Sequence, residues 1–235
     1  MTTHDYKWSK SRYLRLMAKE YLLRAIRKKT DSYRLRYERD AMFPRRTPEF
    51  LLEYVDDWLK DSMSVLDIAC GEGALLDDLK KRSLRAFGID ISPIRVQRAV
   101  SRGRDVVVAD MLQLPYRRQS FDLVIASGIL QQTSTPDVAL SQWTRVLKDE
   151  GTLLLMLDDI RTAQRNWLTT PGQRWKTVAY WSQYRVKYDE SGLIKVIEAS
   201  GLHIEKFNVH EHEGHPVRSW VAVCKKRPSE GKIEK

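Results

Sequence analysis

From Met63 onward, short apolar runs alternate with stretches of helical periodicity, and few folds accommodate that rhythm. "SVLDIA" reads as a strand, residues 73–82 as a helix, "RAFGIDI" as a strand and residues 93–102 as a helix. "DVVVAD" and "FDLVIAS" are the next strands, followed by a helix over 136–148 and the strand "GTLLLMLDD". Strands with so few polar residues are buried on both faces, which predicts an α/β fold: a doubly wound, mostly parallel sheet with helices on both faces. Ligands of such sheets bind outside the carboxyl ends of the strands, where the strand order reverses.

After about 28 residues of broken rhythm, a helix over 189–200 precedes the strands "GLHIEKFNVHEH" and "RSWVAVCKK". The turn-prone "EGHP" between them predicts an antiparallel hairpin at one sheet edge. Upstream, "PRRTPEFLLEYVDDWLKD" offers Thr47 as N-cap, Pro48 at the first helical position, and Phe50, Leu51, Tyr54, Val55 and Trp58 on one side, so a helix is expected there. An amphipathic helix is also expected around Leu16, Leu23 and Ile26.

Charge divides the chain unevenly. Residues 1–47 hold 14 Lys and Arg against 5 Asp and Glu, and so carry nine of the ten net positive charges. We read them as a basic helical N-terminal extension, residues 48–227 as the core domain, and 228–235 as a tail. A basic excess confined to one end offers a surface to RNA, to an anionic membrane or to water alone. No apolar run approaches the roughly 18 residues of a membrane span, and the N-terminus lacks the apolar stretch of a secretory signal, so a cytoplasmic location is expected. Cys70 and Cys224 have no metal-ligand spacing and read as small buried residues, and no metal site is expected.

The turn within "VLDIACGEGALL", Val65 to Leu76, is the most specific local signal. Glycines between a strand and a helix let the backbone approach a ligand closely. A phosphate-cradling GxxxxGK[ST] loop is absent. Gly71 and Gly73 supply half of a dinucleotide fingerprint, but Leu76 stands where close helix packing needs Gly or Ala, which argues against NAD. What remains is an acidic residue, Asp67, followed by small residues at 69, 71 and 73.

That stretch, "VLDIACGEG", resembles the first motif of the class I S-adenosylmethionine-dependent methyltransferases, of the type 11 group, with Ala69 in place of the first glycine. Further motifs follow in the family's order: "GIDIS", "VADMLQLPY", "FDLVIASGIL" and "RVLKDEGTLLL", with Asp149 and Glu150 where Pro and Gly are common. "YRVKYDESGLIKVIEASGLHIEKF" resembles the family's final helix and sixth strand. The resemblance implies a seven-stranded, Rossmann-like sheet whose last strand is antiparallel and inserted beside the fifth. It implies S-adenosyl-L-methionine as cofactor, near Asp67, Ala69, Cys70, Gly71 and Gly73. Asp90 would take the ribose hydroxyls, with Ile91 beside it, Asp110 the adenine amino group, Met111 the ring, and Ser127 and Gly128 the methionine portion.

The acceptor is less legible. His210 and His212 project to one side of a strand that ends at the ligand edge, and are the candidate proton acceptors. The aromatic and basic stretch 161–188, with Trp167, Trp175, Tyr180, Trp181, Tyr184, Arg165, Arg174 and Arg185, reads as a lid over the acceptor pocket. A small, aromatic or acidic molecule is the expected acceptor. RNA is the alternative, because "LPYRRQSFD" through "QQTST" is similar to wobble-uridine tRNA methyltransferases, although Gln131 and Gln132 stand where those carry paired histidines.

Overall fold

A computed structural model describes residues 49–159, 188–211 and 218–227. The amphipathic stretch near Leu16, the insertion at 161–187, His212 and the tail lie outside the described residues. Seven strands form one sheet: β1 Ser64–Ile68, β2 Arg85–Asp90, β3 Val106–Val108, β4 Phe121–Ser127, β5 Leu147–Asp158, β6 Leu202–Glu211 and β7 Arg218–Lys226. Their order is β3-β2-β1-β4-β5-β7-β6, and β7 runs opposite to the other six strands. The expected hairpin is therefore β6 with β7, and β7 lies inserted beside β5. Strand order reverses between β1 and β4, so the crevice for a ligand opens at the carboxyl ends of those two strands.

Among the described residues, four helices connect the strands: α1 Ala74–Lys81, α2 Pro93–Ser101, α3 Pro136–Val146 and α4 Glu190–Ala199. Alternate residues of each strand face opposite sides. Val65, Leu123, Ile125, Leu154, Val221 and Val223 meet Leu75, Leu76 and Leu79 of α1 and Val96 and Ala99 of α2. Leu66, Ile68, Val124, Ala126, Leu153, Leu155 and Leu157 meet Ala139, Leu140 and Trp143 of α3 and Leu193 and Ile197 of α4. Each fully buried aliphatic side chain contributes about 1.5–3 kcal/mol, so the paired cores dominate the stability of the sheet. Two ends are capped by side chains: Ser92 ahead of Pro93 accepts from the Arg95 amide, and Asp189 accepts from the Gly192 amide at 2.6 Å.

Two elements differ from expectation. Residues 49–58 form two 3-10 segments, Glu49–Tyr54 and Asp56–Trp58, rather than one α-helix. Val55 breaks the run with φ −129° and ψ 1°, and the bonds from Val55 to Leu52 and from Trp58 to Val55 close tighter turns. Leu51, Leu52 and Val55 are nonetheless buried on the α1/α2 face. Packing outweighs the local helical pattern here. β5 also starts earlier than the sequence indicates: Leu147 already pairs with Phe121, and the register then shifts before Thr152. Lys148 joins Asp122 of β4 at 2.8 Å across that irregular start.

Candidate functional site

The β1–α1 turn passes through the left-handed region three times, at Ala69 (φ 59°), Gly71 (φ 61°) and Gly73 (φ 74°). Two of these are glycines, which adopt that conformation without a Cβ clash, whereas Ala69 carries a cost of about 1–2 kcal/mol. Cys70 lies between them with its side chain packed on β2. A Cβ on Gly88 would stand 2.5 Å from the Cys70 Sγ, so the thiol occupies the space that Gly88 leaves. Burial, with the nearby Asp67 and Asp90 carboxylates, pushes the Cys70 thiol well up, and it remains protonated at neutral pH.

Asp90, 1 % exposed at the end of β2, ties the turn to the next loop. Its Oδ2 accepts from the Gly71 amide at 2.9 Å and its Oδ1 from the Ser92 amide at 2.9 Å. On the outer side, Arg104 donates to the Glu72 carbonyl at 2.6 Å and grips Asp77 with Nε and Nη2. The Glu72 carboxylate meets Arg98 and Arg102 from α2 and its C-cap. Burial opposes ionisation of Glu72, but the two guanidinium groups outweigh it and hold the carboxyl below its ordinary value.

The remaining predicted cofactor residues fall at the same edge. Asp67 is buried one residue before the end of β1, and Ile91, 47 % exposed, follows Asp90. Asp110 follows β3 and accepts from the Leu112 amide at 2.9 Å, while the Met111 carbonyl accepts from Trp143 Nε1 at 3.2 Å, anchoring that loop to α3. Ser127 ends β4. Gly128 follows in the left-handed region (φ 63°), and a Cβ there would meet nothing within 4 Å. Its carbonyl accepts from Gln132 Nε2 at 3.0 Å. β3, β2, β1 and β4 are successive neighbours in the sheet, so these residues share one stretch of its carboxyl edge.

His210 stands apart. It lies on β6, the outermost strand, four strand spacings from β1, or roughly 19 Å. Its ring stacks on Phe50 at 3.7 Å between centroids, and Nδ1 lies 3.1 Å from the Tyr54 hydroxyl. The sequence pattern could show that His210 faces one side of a strand, but not that Phe50 and Tyr54 come back to cover it. Gln131, in the short turn Leu130–Gln132 after β4, is 1 % exposed, and neither amide atom has a hydrogen-bond partner. Its place between Gly128 and Thr133 was visible in sequence; its isolation was not.

These residues fit S-adenosylmethionine. Open space in front of Gly128, the backbone bend at 69–73 and the buried Asp90 and Asp110 at successive strand ends would suit a nucleoside with an amino-acid tail. Residues 66–155 match a family model described as a methyltransferase domain. A probable tRNA methyltransferase 9B of Bos taurus is 34% identical over 113 residues, 47% of this chain and 23% of that protein. A malonyl-[acyl-carrier protein] O-methyltransferase of Halorhodospira halophila is 30% identical over 138 residues, 56% of this chain and 47% of the relative. The chain thus spans about a quarter to a half of the length of these curated relatives. The crystal structure of the PH0226 protein from Pyrococcus horikoshii superposes with a TM-score of 0.61 at 20% identity, over 76% of this chain and 89% of that one, and so shares the fold. Over residues 66–155 the chain is thus similar to the methyltransferase-domain family, whose class I members use S-adenosylmethionine as cofactor.

Proposed function

We propose that this protein transfers a methyl group from S-adenosylmethionine to a carboxylate oxygen of an acidic small molecule. In this reading the turn at Ala69–Gly73, with Ser127 and Gly128, holds the methionine portion. Asp90 holds the ribose hydroxyls, Ile91 packs beside them, and Asp110 and Met111 hold the adenine. When bound, the cofactor supplies an activated methyl group on a sulfonium, which an in-line nucleophile displaces. The chain's own contribution is then to hold the acceptor oxygen in line and to exclude water, a positioning effect worth several kcal/mol, up to about 7–11 in well-oriented systems.

The observation that carries the carboxylate is the lack of a proton acceptor among the described histidines and cysteines at this edge. Cys70 is kept protonated by burial, and Cys224, also buried, has its thiol pushed up to about 12. His203 lies at the start of β6, on the opposite edge, and His210 on the outermost strand is engaged by Phe50 and Tyr54. A phenol, with a pKa near 10, would need a base at neutral pH; a carboxylic acid, with a pKa near 4, arrives already ionised. The malonyl group named in the bacterial relative has a carboxylate as its free end, which favours the same chemistry.

A transfer RNA is the second reading, favoured by the similarity to the bovine relative and by the charge of residues 1–47. Incubation with methyl-tritiated S-adenosylmethionine and cell extract fractionated into small-molecule, protein, lipid and RNA pools separates the two. Label in the small-molecule pool, released as volatile methanol by mild alkali, is the expected outcome. Alkali-stable label, or label confined to RNA, overturns the small-molecule carboxylate.

A further inference from the structure

Gln131, Tyr188 and Trp220, at the carboxyl edge of the sheet, bury polar atoms that have no hydrogen-bond partner. Gln131 leaves Nε2 and Oε1 unmatched, Tyr188 its Oη and Trp220 its Nε1. Folded chains seldom keep such groups, because each forfeits its hydration without recovering a hydrogen bond. One orphan is a local imperfection. Several near one edge of the sheet, two of them packed on the α3/α4-face core, call for a common explanation.

The topology brings them together. Gln131 lies just past the end of β4, in the turn that leads to Pro136 at the start of α3. Trp220 pairs with Leu157 near the end of β5, and its side chain belongs to the core on the α3/α4 face. Tyr188 comes two residues before α4, packs on that same core and feels the charge of Asp137 in the first turn of α3. Because α4 ends only two residues before β6 begins at the far edge, its ten-residue length places its start about 15 Å nearer the carboxyl edge. Thr144 Oγ1 near the end of α3 and His203 Nδ1 at the start of β6, also without partners, stand at the opposite edge.

The chemistry of the three groups is lopsided. Tyr188, with its phenol pushed up to about 12 chiefly by burial and then by Asp137, keeps its proton and donates. Trp220 Nε1 only donates, and the Gln131 amide offers two N–H donors and one acceptor. None carries a charge. A ligand matched to this set is rich in acceptor oxygens, and a carboxylate, which accepts about four hydrogen bonds and donates none, fits best.

We propose that Gln131, Tyr188 and Trp220 form a neutral, donor-rich wall that binds the carboxylate of the acceptor beside the methyl-transfer site. The inference rests on the carboxylate reading above and adds the residues that select it. Neutral donors distinguish an acid from its amide by hydrogen-bond polarity, since the amide's NH2 would face Tyr188 and Trp220 donor against donor.

The test is calorimetric titration of the protein saturated with S-adenosylhomocysteine. The probes are malonyl-pantetheine, glutarate and phenylacetate, each compared with its primary amide. At least one acid should bind about tenfold or more tightly than its amide. Gln131→Leu and Tyr188→Phe should each weaken that acid about tenfold while leaving S-adenosylhomocysteine affinity within about twofold. Gln131→Leu should also raise the thermal midpoint, because it removes an orphaned amide. Tyr188→Phe, which deletes only a hydroxyl, keeps the test decisive if the leucine variant does not fold. Wild-type protein that binds S-adenosylhomocysteine but prefers no acid over its amide overturns the wall alone, as do variants that bind acid like wild type. Failure to bind S-adenosylhomocysteine at all overturns the wall and the methyltransferase reading together.

Discussion

Gly88→Ala is a one-carbon change on β2 whose effect should be felt in the turn one strand away. The added Cβ would stand 2.5 Å from Cys70 Sγ, 3.1 Å from Cys70 Cβ and 3.3 Å from Val106 Cγ2. Ordinary carbon contacts begin near 3.5 Å, so the sulfur must move by roughly 1 Å while the other two atoms need shift by only a few tenths. Cys70 is 2 % exposed and held between Ala69 and Gly71, both in the left-handed region, so a displaced thiol takes the turn with it. Overpacking of this size costs about 1–3 kcal/mol. In a Cys70→Ala background the severe contact is gone, and the alanine at 88 should cost less than about 1 kcal/mol, or gain slightly from a stiffer unfolded chain. Urea unfolding of the four proteins should therefore give a coupling of at least about 1 kcal/mol. S-adenosylhomocysteine affinity should fall in Gly88→Ala and recover in part in the double variant. Costs that add within about 0.5 kcal/mol would refute the claim that Gly88 seats the turn through Cys70.

Asp90→Asn turns one carboxylate oxygen into a donor facing a backbone amide of Gly71 or Ser92. It should destabilise the fold by about 1–3 kcal/mol in urea and weaken S-adenosylhomocysteine at least about tenfold by calorimetry; unchanged affinity would remove Asp90 from the ribose site. Asp77 is held below its ordinary value of 3.8, first by the Arg104 hydrogen bonds and against partial burial. A lowered folded value means that the stabilisation is complete above 3.8 and is lost as pH falls through the folded value. Asp77→Asn should accordingly flatten that acid limb of the urea midpoint, and an identical limb would contradict the pairing. Gly128→Ala meets open space, so it should cost only the roughly 1–2 kcal/mol of a left-handed alanine while reducing cofactor affinity; intact affinity would place the cofactor elsewhere.

The elements that the sequence predicts well are those whose local pattern and tertiary role agree. Pro93 and Pro136 each begin a helix within a residue of expectation, because a proline at the first helical position and the apolar spacing behind it specify the same start. β1 and β4 are legible because burial on both faces leaves apolar runs that only Asp67 in β1 and Asp122 in β4 interrupt. Val55 shows the limit: its neighbours carry helical spacing, yet burial against the α1/α2 face bends the chain there. The acids and glycines proposed to hold the cofactor are legible because they sit at strand ends within single motifs. Their braces were not, since Arg104 reaches back 32 residues to the Glu72 carbonyl and Cys70 packs into the space at Gly88. The acceptor side was least legible: Gln131, Tyr188 and Trp220 come from three separate stretches, and only the absence of partners, which no sequence displays, sets them apart.

The account depends most on the bend at Ala69–Gly73 and the carboxylate of Asp90 recognising a sulfonium nucleoside. Calorimetric titration of the full chain with S-adenosylmethionine, S-adenosylhomocysteine and NAD tests that directly. Saturable heat with the first two and none with NAD is the predicted result; heat with NAD and none with either nucleoside would contradict it.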